Sequence, residues 1–250
     1  MVPASSRPDA GPVVELRLLG GFGLTVAGGP VDMTPAAQRL LAFVALTPRG
    51  ADRTFTAFQL WPEHSEHRAK ANLRSALWRL GKAPAELVSA TKSHLRLSER
   101  VWVDVRHGLA DMAATGMTSI LDTALPFDTL DHDLLPDWYD DWLTIERERL
   151  RQLRLGSLEE GARLALGQDR PAVAVQLALT AVAVDPLRES AHRLVIDAHL
   201  ANGNRLDARR QFDAYRSMVV SRLGCEPSAE LADLIERALG GDAPPVLAAA

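Results

Sequence analysis

Arg68, Lys70, Arg74, Arg79 and Lys82 fall within one fifteen-residue stretch, RAKANLRSALWRLGK, together with Trp78 and no acidic side chain. Guanidinium and ammonium groups at this density neutralise phosphates, and an Arg can bond guanine O6 and N7 in a major groove. The whole chain has a formal net charge of -4, so the cluster does not follow from a basic composition. Residues 13–108 hold 13 Lys and Arg against 8 Asp and Glu, a balance of +5, whereas residues 109–250 hold 14 against 23, a balance of -9. A basic half joined to an acidic half suggests a polyanion partner for the first and a different partner for the second.

Other candidate chemistry is sparser. His64 and His67, beside Glu63 and Glu66, have the i, i+3 spacing that could hold a metal at a helix start, but they read better as a polar turn. Asp131, His132 and Asp133 lie in an acidic, Pro-bounded loop with no second cluster. GGFG at 20–23 is not followed by a helix, as a phosphate loop requires, and reads as a hairpin turn. The single cysteine, Cys225, excludes an intrachain disulfide framework and suits a reducing cytoplasm. With no nucleophile elbow or paired carboxylates, the expectation is a protein that is not an enzyme, with no catalytic residue, metal, cofactor or small-molecule substrate.

The cationic stretch needs a scaffold, and the flanking residues supply one. VELRLLGGFGLTVAGGPVDM alternates apolar and polar residues between glycine pairs, the pattern of a small antiparallel meander. Thr34 and Pro35 open a helix over PAAQRLLAFVAL, and Thr54 is placed to cap a second, FTAFQLW, which ends at Pro62. Ser65 offers an N-cap for a third helix from Glu66 to Leu80, stopped by Gly81.

At helical spacing Ala69, Leu73, Ala76, Leu77 and Leu80 form one stripe facing a core. Arg68, Arg74, Ser75, Trp78 and Arg79 fall opposite, with Lys70 nearer the apolar border. ELVSATKSHLRLSERVWVDV then reads as two strands joined near Lys92, Ser93 and His94. Sheet, two helices, cationic helix and hairpin is the order of a winged helix-turn-helix preceded by an N-terminal sheet. The expected DNA-binding residues are Arg68, Lys70, Arg74, Ser75, Trp78, Arg79, Lys92 and His94. The alternative is a surface helix whose Trp78 packs on a neighbouring element.

The second half begins LLPDWYDDWLTIERERLRQLRLGSLEEGARLAL, a long amphipathic helix, and two helical hairpins follow. Ala162, Ala174, Ala181 and Pro186 occupy the small-residue and closing-Pro positions of a 34-residue tetratricopeptide-like repeat. Ala208 continues it; in the second copy Ile196 replaces the small residue and no Pro closes the unit. Such helices offer a surface to another protein. A plain helical bundle is the alternative.

LWPEHSEHRAKANLRSALWRLGK, LLPDWYDDWLTIERERLRQLRL, DPLRESAHRLVIDAHLANGN and LGCEPSAEL, in this order, resemble the Streptomyces antibiotic regulatory protein family over about residues 13–240. The resemblance implies an OmpR-like winged helix with an N-terminal antiparallel sheet, followed by an all-α, tetratricopeptide-like bacterial transcriptional activation domain. It also implies Arg74, Ser75, Trp78 and Arg79 on a recognition helix, binding to promoter direct repeats as a pair of copies, and contact with RNA polymerase. The wing departs from the family pattern: SHLRL stands where many members have Gly-Tyr-Arg-Leu. RHGLADMAATGMTSILDTALPF is a weak match.

The expected organisation is a disordered lead-in over 1–12, a winged helix over 13–106, an activation domain over 107–240 and a flexible tail over 241–250. No uncharged apolar run approaches the roughly 18 residues of a membrane span. The expected function is a cytoplasmic, nucleoid-associated transcription activator that binds double-stranded promoter DNA, plausibly for a secondary-metabolite gene cluster. The competing expectation is a protein-interaction adaptor whose winged helix docks a protein.

Overall fold

The computed structural model describes residues 14–108 and 132–240. The lead-in, the tail and most of the RHGLADMAATGMTSILDTALPF segment lie outside the described residues. Contacts group the described residues into two units, 14–108 with 132–150, and 151–240.

In the first unit β1 (Val14–Arg17), β2 (Gly23–Val26) and β3 (Gly29–Pro30) form the expected antiparallel meander. Its other edge is β7 (Val101–Val103), which pairs parallel to β1 through Val14↔Val101 and Leu16↔Val103. The sheet is therefore mixed, because the chain returns to it after the wing. The segment read as two strands contains three: β5 (Val88–Ala90) and β6 (His94–Leu97) make the hairpin, and β7 leaves for the first sheet. Val101 and Val103 supply apolar inward positions, which a hairpin strand would share, so periodicity did not distinguish the two destinations.

Between the sheets lie α1 (Pro35–Leu46), α2 (Arg53–Leu60) and α3 (Glu66–Leu80), with β4 (Ala51–Asp52) before α2. Pro35 occupies the first turn of α1, where no N–H is needed. α1 buries Ala37 and every side chain from Leu40 to Leu46, so it is the centre of the core on which α2 and α3 pack. Asp52, rather than Thr54, caps α2: its carboxylate accepts from Thr54 N at 2.8 Å and Phe55 N at 2.9 Å. A carboxylate at an N-terminus also meets the helix dipole, an advantage a hydroxyl lacks.

Gly50 sets the corner from α1 into β4. Its φ is +79°, and a Cβ there would lie 2.7 Å from the Leu95 carbonyl of β6. Gly50→Ala should lower stability by about 1–3 kcal/mol through backbone strain and collision. A thermal-melt comparison in which the variant matches the wild type would show that the corner relaxes without cost.

Residues 132–150 belong to this unit because their side chains are anchored there. Leu19 bridges Leu134, and Leu135 N donates to Leu18 O at 2.8 Å. Trp138 stacks on Phe22 with centroids 6.0 Å apart, and Trp142 meets Phe43 edge-on at 5.2 Å. Arg39 pairs with Asp140, and Arg147 donates to the carbonyls of Leu134, Leu135 and Trp138, closing a turn in which Leu135 has φ 45°.

The helix α4 (Asp141–Gly167) contributes its first residues, through Leu150, to this unit and the remainder to the second. The second unit continues with α5 (Pro171–Val184), α6 (Glu189–Ala201), α7 (Arg205–Leu223) and α8 (Ala229–Gly240). Consecutive helices pack on one another: α5 on α6, α6 on α7, and α8 on α7. Ala162, Ala174, Ala181 and Ala208, the small residues of the 34-residue spacing, are all fully buried, as is Ile196. Where the second copy lacks Pro, Gly224 ends α7 in the left-handed conformation, φ 68°, with its N–H on Val220 O. The sequence expectation of a winged helix with an N-terminal sheet followed by tetratricopeptide-like helices is borne out, the β7 pairing apart.

His192 is buried in α6 between two partners. Its Nε2 donates to Pro186 O at 2.9 Å, Gln211 Nε2 donates to its Nδ1 at 2.8 Å, and Tyr215 covers the ring at 4.3 Å. That tautomer is neutral. Burial pushes the imidazole below its ordinary 6.5, outweighing the pull of the Pro186 carbonyl and of Asp185 and Glu189.

The unfolded chain therefore takes up this proton at higher pH than the native state does. The stability it contributes is complete above about pH 6.5 and is lost as pH falls toward the folded value, at about 1.4 kcal/mol per unit of depression. The urea midpoint should drop from about pH 7.5 to about pH 5.5 more in the wild type than in His192→Gln. Equal drops would assign the pH dependence elsewhere.

Candidate nucleic-acid interface

α3 spans fifteen residues, roughly 22 Å of helix. Ser65 is its N-cap residue in extended conformation, without a side-chain cap bond, and Gly81 ends it. Ala69, Leu73, Ala76 and Leu80 are buried against the core formed with α1 and α2. Leu77 packs at its margin.

The opposite face is open. Arg68, Arg74, Ser75 and Arg79 are exposed, and the Trp78 side chain is 64% exposed. Arg74 and Trp78, and Ser75 and Arg79, stand one turn apart and so share a face. Among the described residues Arg68, Arg74 and Arg79 form no ion pair, which leaves three guanidinium groups for an outside anion. The alternative in which Trp78 is packed beneath a neighbouring element does not hold within this unit.

Two local contacts modify the face. Lys70 Nζ lies 2.5 Å from Glu66 Oε1, so this cation is engaged within its own helix. The Lys70 ammonium also holds the Glu66 carboxyl below its ordinary value. Lys82 Nζ sits 3.5 Å from the centroid of the Trp78 ring. A cation over the indole fixes the ring and adds a charge at the C-terminal end of the face. Lys82 was counted in the cationic cluster without a role of its own; the i, i+4 spacing from Trp78 was the signal.

The hairpin tip is Thr91–Lys92–Ser93, and His94 begins β6. His94 is thus a strand residue rather than part of the tip, paired in register with Asp52 of β4. Lys92 is exposed between Thr91 and Ser93. Thr91 Oγ1 accepts from His94 N at 3.0 Å, and Ser93 Oγ meets His94 Nδ1 at 2.9 Å.

Arg53, which the sequence reading passed over, ties the tip to α2: its N–H donates to Ser93 O at 2.8 Å and its Nη1 to Thr91 O at 3.0 Å. Arg53 therefore ties the wing tip to the helix-turn-helix in addition to the β4–β6 pairing. A side chain that bonds to a distant backbone carbonyl leaves no periodicity in the sequence.

Among the described residues no cluster of three or more His, Cys, Asp or Glu is arranged to hold a metal; His64 lies 2.7 Å from Glu63. No helix among them is long and apolar enough to cross a membrane. Cys225 is exposed.

Residues 128–239 match the bacterial transcriptional activator domain. Within it, residues 132–150 pack into the sheet-bearing unit and α4 to α8 supply the rest. A solved structure of EmbR from Mycobacterium tuberculosis, in complex with a low-affinity phosphopeptide, matches with a TM-score of 0.65 at 21% identity. The match covers 92% of this chain and 65% of that one, so the chain spans about two thirds of the length of its structural neighbour. The fold of this chain thus recurs over most of its length in a solved structure, and with the domain match over residues 128–239 it supports the resemblance to the Streptomyces antibiotic regulatory proteins. No curated protein matches by sequence.

Proposed function

We propose that this protein binds promoter DNA sequence-specifically and activates transcription, with residues 13–106 reading DNA and residues 107–240 engaging RNA polymerase. α3 enters the major groove, whose width of about 12 Å admits a helix. Arg74 and Arg79, with Ser75, contact base edges; Arg68, Lys92 and His94 meet phosphates, and Lys70 joins them by exchanging Glu66 for a phosphate; and Trp78, braced by Lys82, packs along the backbone. The observation that carries this reading is the open, unpaired Arg74, Ser75, Trp78 and Arg79 face opposite the buried Ala69, Leu73, Ala76 and Leu80 stripe. It supports binding rather than catalysis.

The domain's description supports the activator role. Two copies bound to direct repeats, a cytoplasmic, nucleoid-associated location and control of a secondary-metabolite gene cluster complete the proposal. The test is selection of the full chain on random duplexes followed by gel shift of the enriched sites. Enrichment of a motif, with binding that weakens steeply as salt rises, is the expected result. No enrichment would reject the reading.

A further inference from the structure

The first unit carries a half-open cavity of about 300 Å³ lined by Ala45, Leu46, Pro48, Val105, Leu134 and Leu150, with Arg106, Glu146 and Arg149 as its charged residues. Ala45, Leu46, Val105, Leu134 and Leu150 are all buried, so the floor is apolar. The volume stands at the lower end of small-molecule sites and has room for roughly ten water-sized groups.

Arg106 gives the cavity its specificity. Its Nε donates to Ala45 O at 2.5 Å and its Nη2 to Val44 O at 3.3 Å, so two carbonyls of α1's last turn fix the guanidinium in place. Among the described residues no carboxylate neutralises it, and burial, the one cause acting on it, disfavours its charge. Carbonyl dipoles hold a cation but do not cancel it. Arg149 is exposed beside it and touches Glu146 only at 3.5 Å, so the polar side keeps a net positive charge. An apolar floor edged by a pre-positioned guanidinium that no carboxylate among the described residues compensates is complementary to one kind of small molecule.

We propose that this cavity is an effector site for a small amphipathic carboxylate, its chain on Leu46, Val105, Leu134 and Leu150 and its carboxylate on Arg106 and Arg149. The proposal goes beyond the DNA-binding reading and stands whether or not α3 meets a duplex.

The test uses the full chain and straight-chain carboxylates as probes. Isothermal titration with hexanoate, octanoate, decanoate and dodecanoate should show saturable binding of one molecule, strongest near octanoate, whose size matches the roughly ten groups the cavity admits. 1-Octanol, with the same chain and no charge, should bind at least about tenfold more weakly. Arg106→Gln should cost octanoate about tenfold or more in affinity. Arg149→Glu, a change at an exposed residue that leaves the fold intact, should do the same by charge reversal.

Absence of saturable octanoate binding would overturn the proposal. So would equal affinity for octanoate and 1-octanol, affinity that climbs with every added carbon, or affinity unmoved by Arg149→Glu.

Discussion

Arg74→Ala or Arg79→Ala should weaken binding of the full chain to its selected DNA site by about 1–3 kcal/mol each, about fivefold to 150-fold in Kd. An arginine that bonds a base edge gives up both affinity and discrimination when truncated, so the variant should also tolerate changes at one base pair. Lys92→Ala, at the wing tip, should instead weaken all sequences alike and lower the slope of log K against log salt by about 1.

These outcomes are separable from misfolding. Arg74, Arg79 and Lys92 are exposed and unpaired among the described residues, so thermal midpoints should stay within the scatter of surface substitutions. Arg74 and Arg79 variants that bind the selected site as tightly as the wild type would remove α3 from the interface.

Glu159→Ala should cost the helical unit about 2–4 kcal/mol, the largest single stability effect expected here. Glu159 lies on α4 with its side chain 5% exposed. It accepts from Arg188 Nε at 2.6 Å, Arg188 Nη2 at 3.2 Å and Ser190 Oγ at 2.5 Å, with Arg163 3.5 Å away. One carboxylate therefore pins α4 to the α5–α6 connection. Its removal leaves the Arg188 guanidinium half-buried without its counter-charge, which is dearer than never having formed the pair.

The same group predicts an acid response. Burial pushes the Glu159 carboxyl up, but hydrogen bonds from Arg188 and Ser190 and the charges of Arg188 and Arg163 outweigh it, and its pKa lies below the ordinary 4.5. Its contribution is complete above about pH 4.5 and is lost as pH falls through the folded value. Urea unfolding at neutral pH checks the magnitude. A Glu159→Ala midpoint equal to that of the wild type would show the network to be dispensable, and an unchanged acid limb would show that its charge is not what titrates.

Much of the sheet-bearing unit was legible because helices declare themselves locally. Pro35 and Gly81 marked helix ends, and the buried spacing of Ala69, Leu73, Ala76 and Leu80 fixed which side of α3 must face outward. Misreadings came where one residue type serves two ends. Thr54 and Asp52 are both good caps, and the choice fell to Asp52 because its carboxylate reaches Thr54 N and Phe55 N together. Val101 to Val103 fits any half-buried strand, and its parallel pairing with β1 depends on a neighbour almost ninety residues earlier. The Trp138 and Trp142 segment reads as the start of a helical unit, yet Phe22 and Phe43 hold it to the sheet-bearing one.

By itself the sequence determined the periodic quantities: the element order, the apolar stripe and cationic face of α3, and the 34-residue spacing whose alanines are buried between helices. Only the tertiary structure decided which cations are spoken for, with Lys70 on Glu66, Lys82 over Trp78 and Arg53 on the wing, and that Arg106 stands over an apolar cavity. The reason is one of range. Helical and strand patterns arise from neighbours within a turn or two along the chain, whereas ion pairing and cavity formation depend on distances across space that folding alone sets.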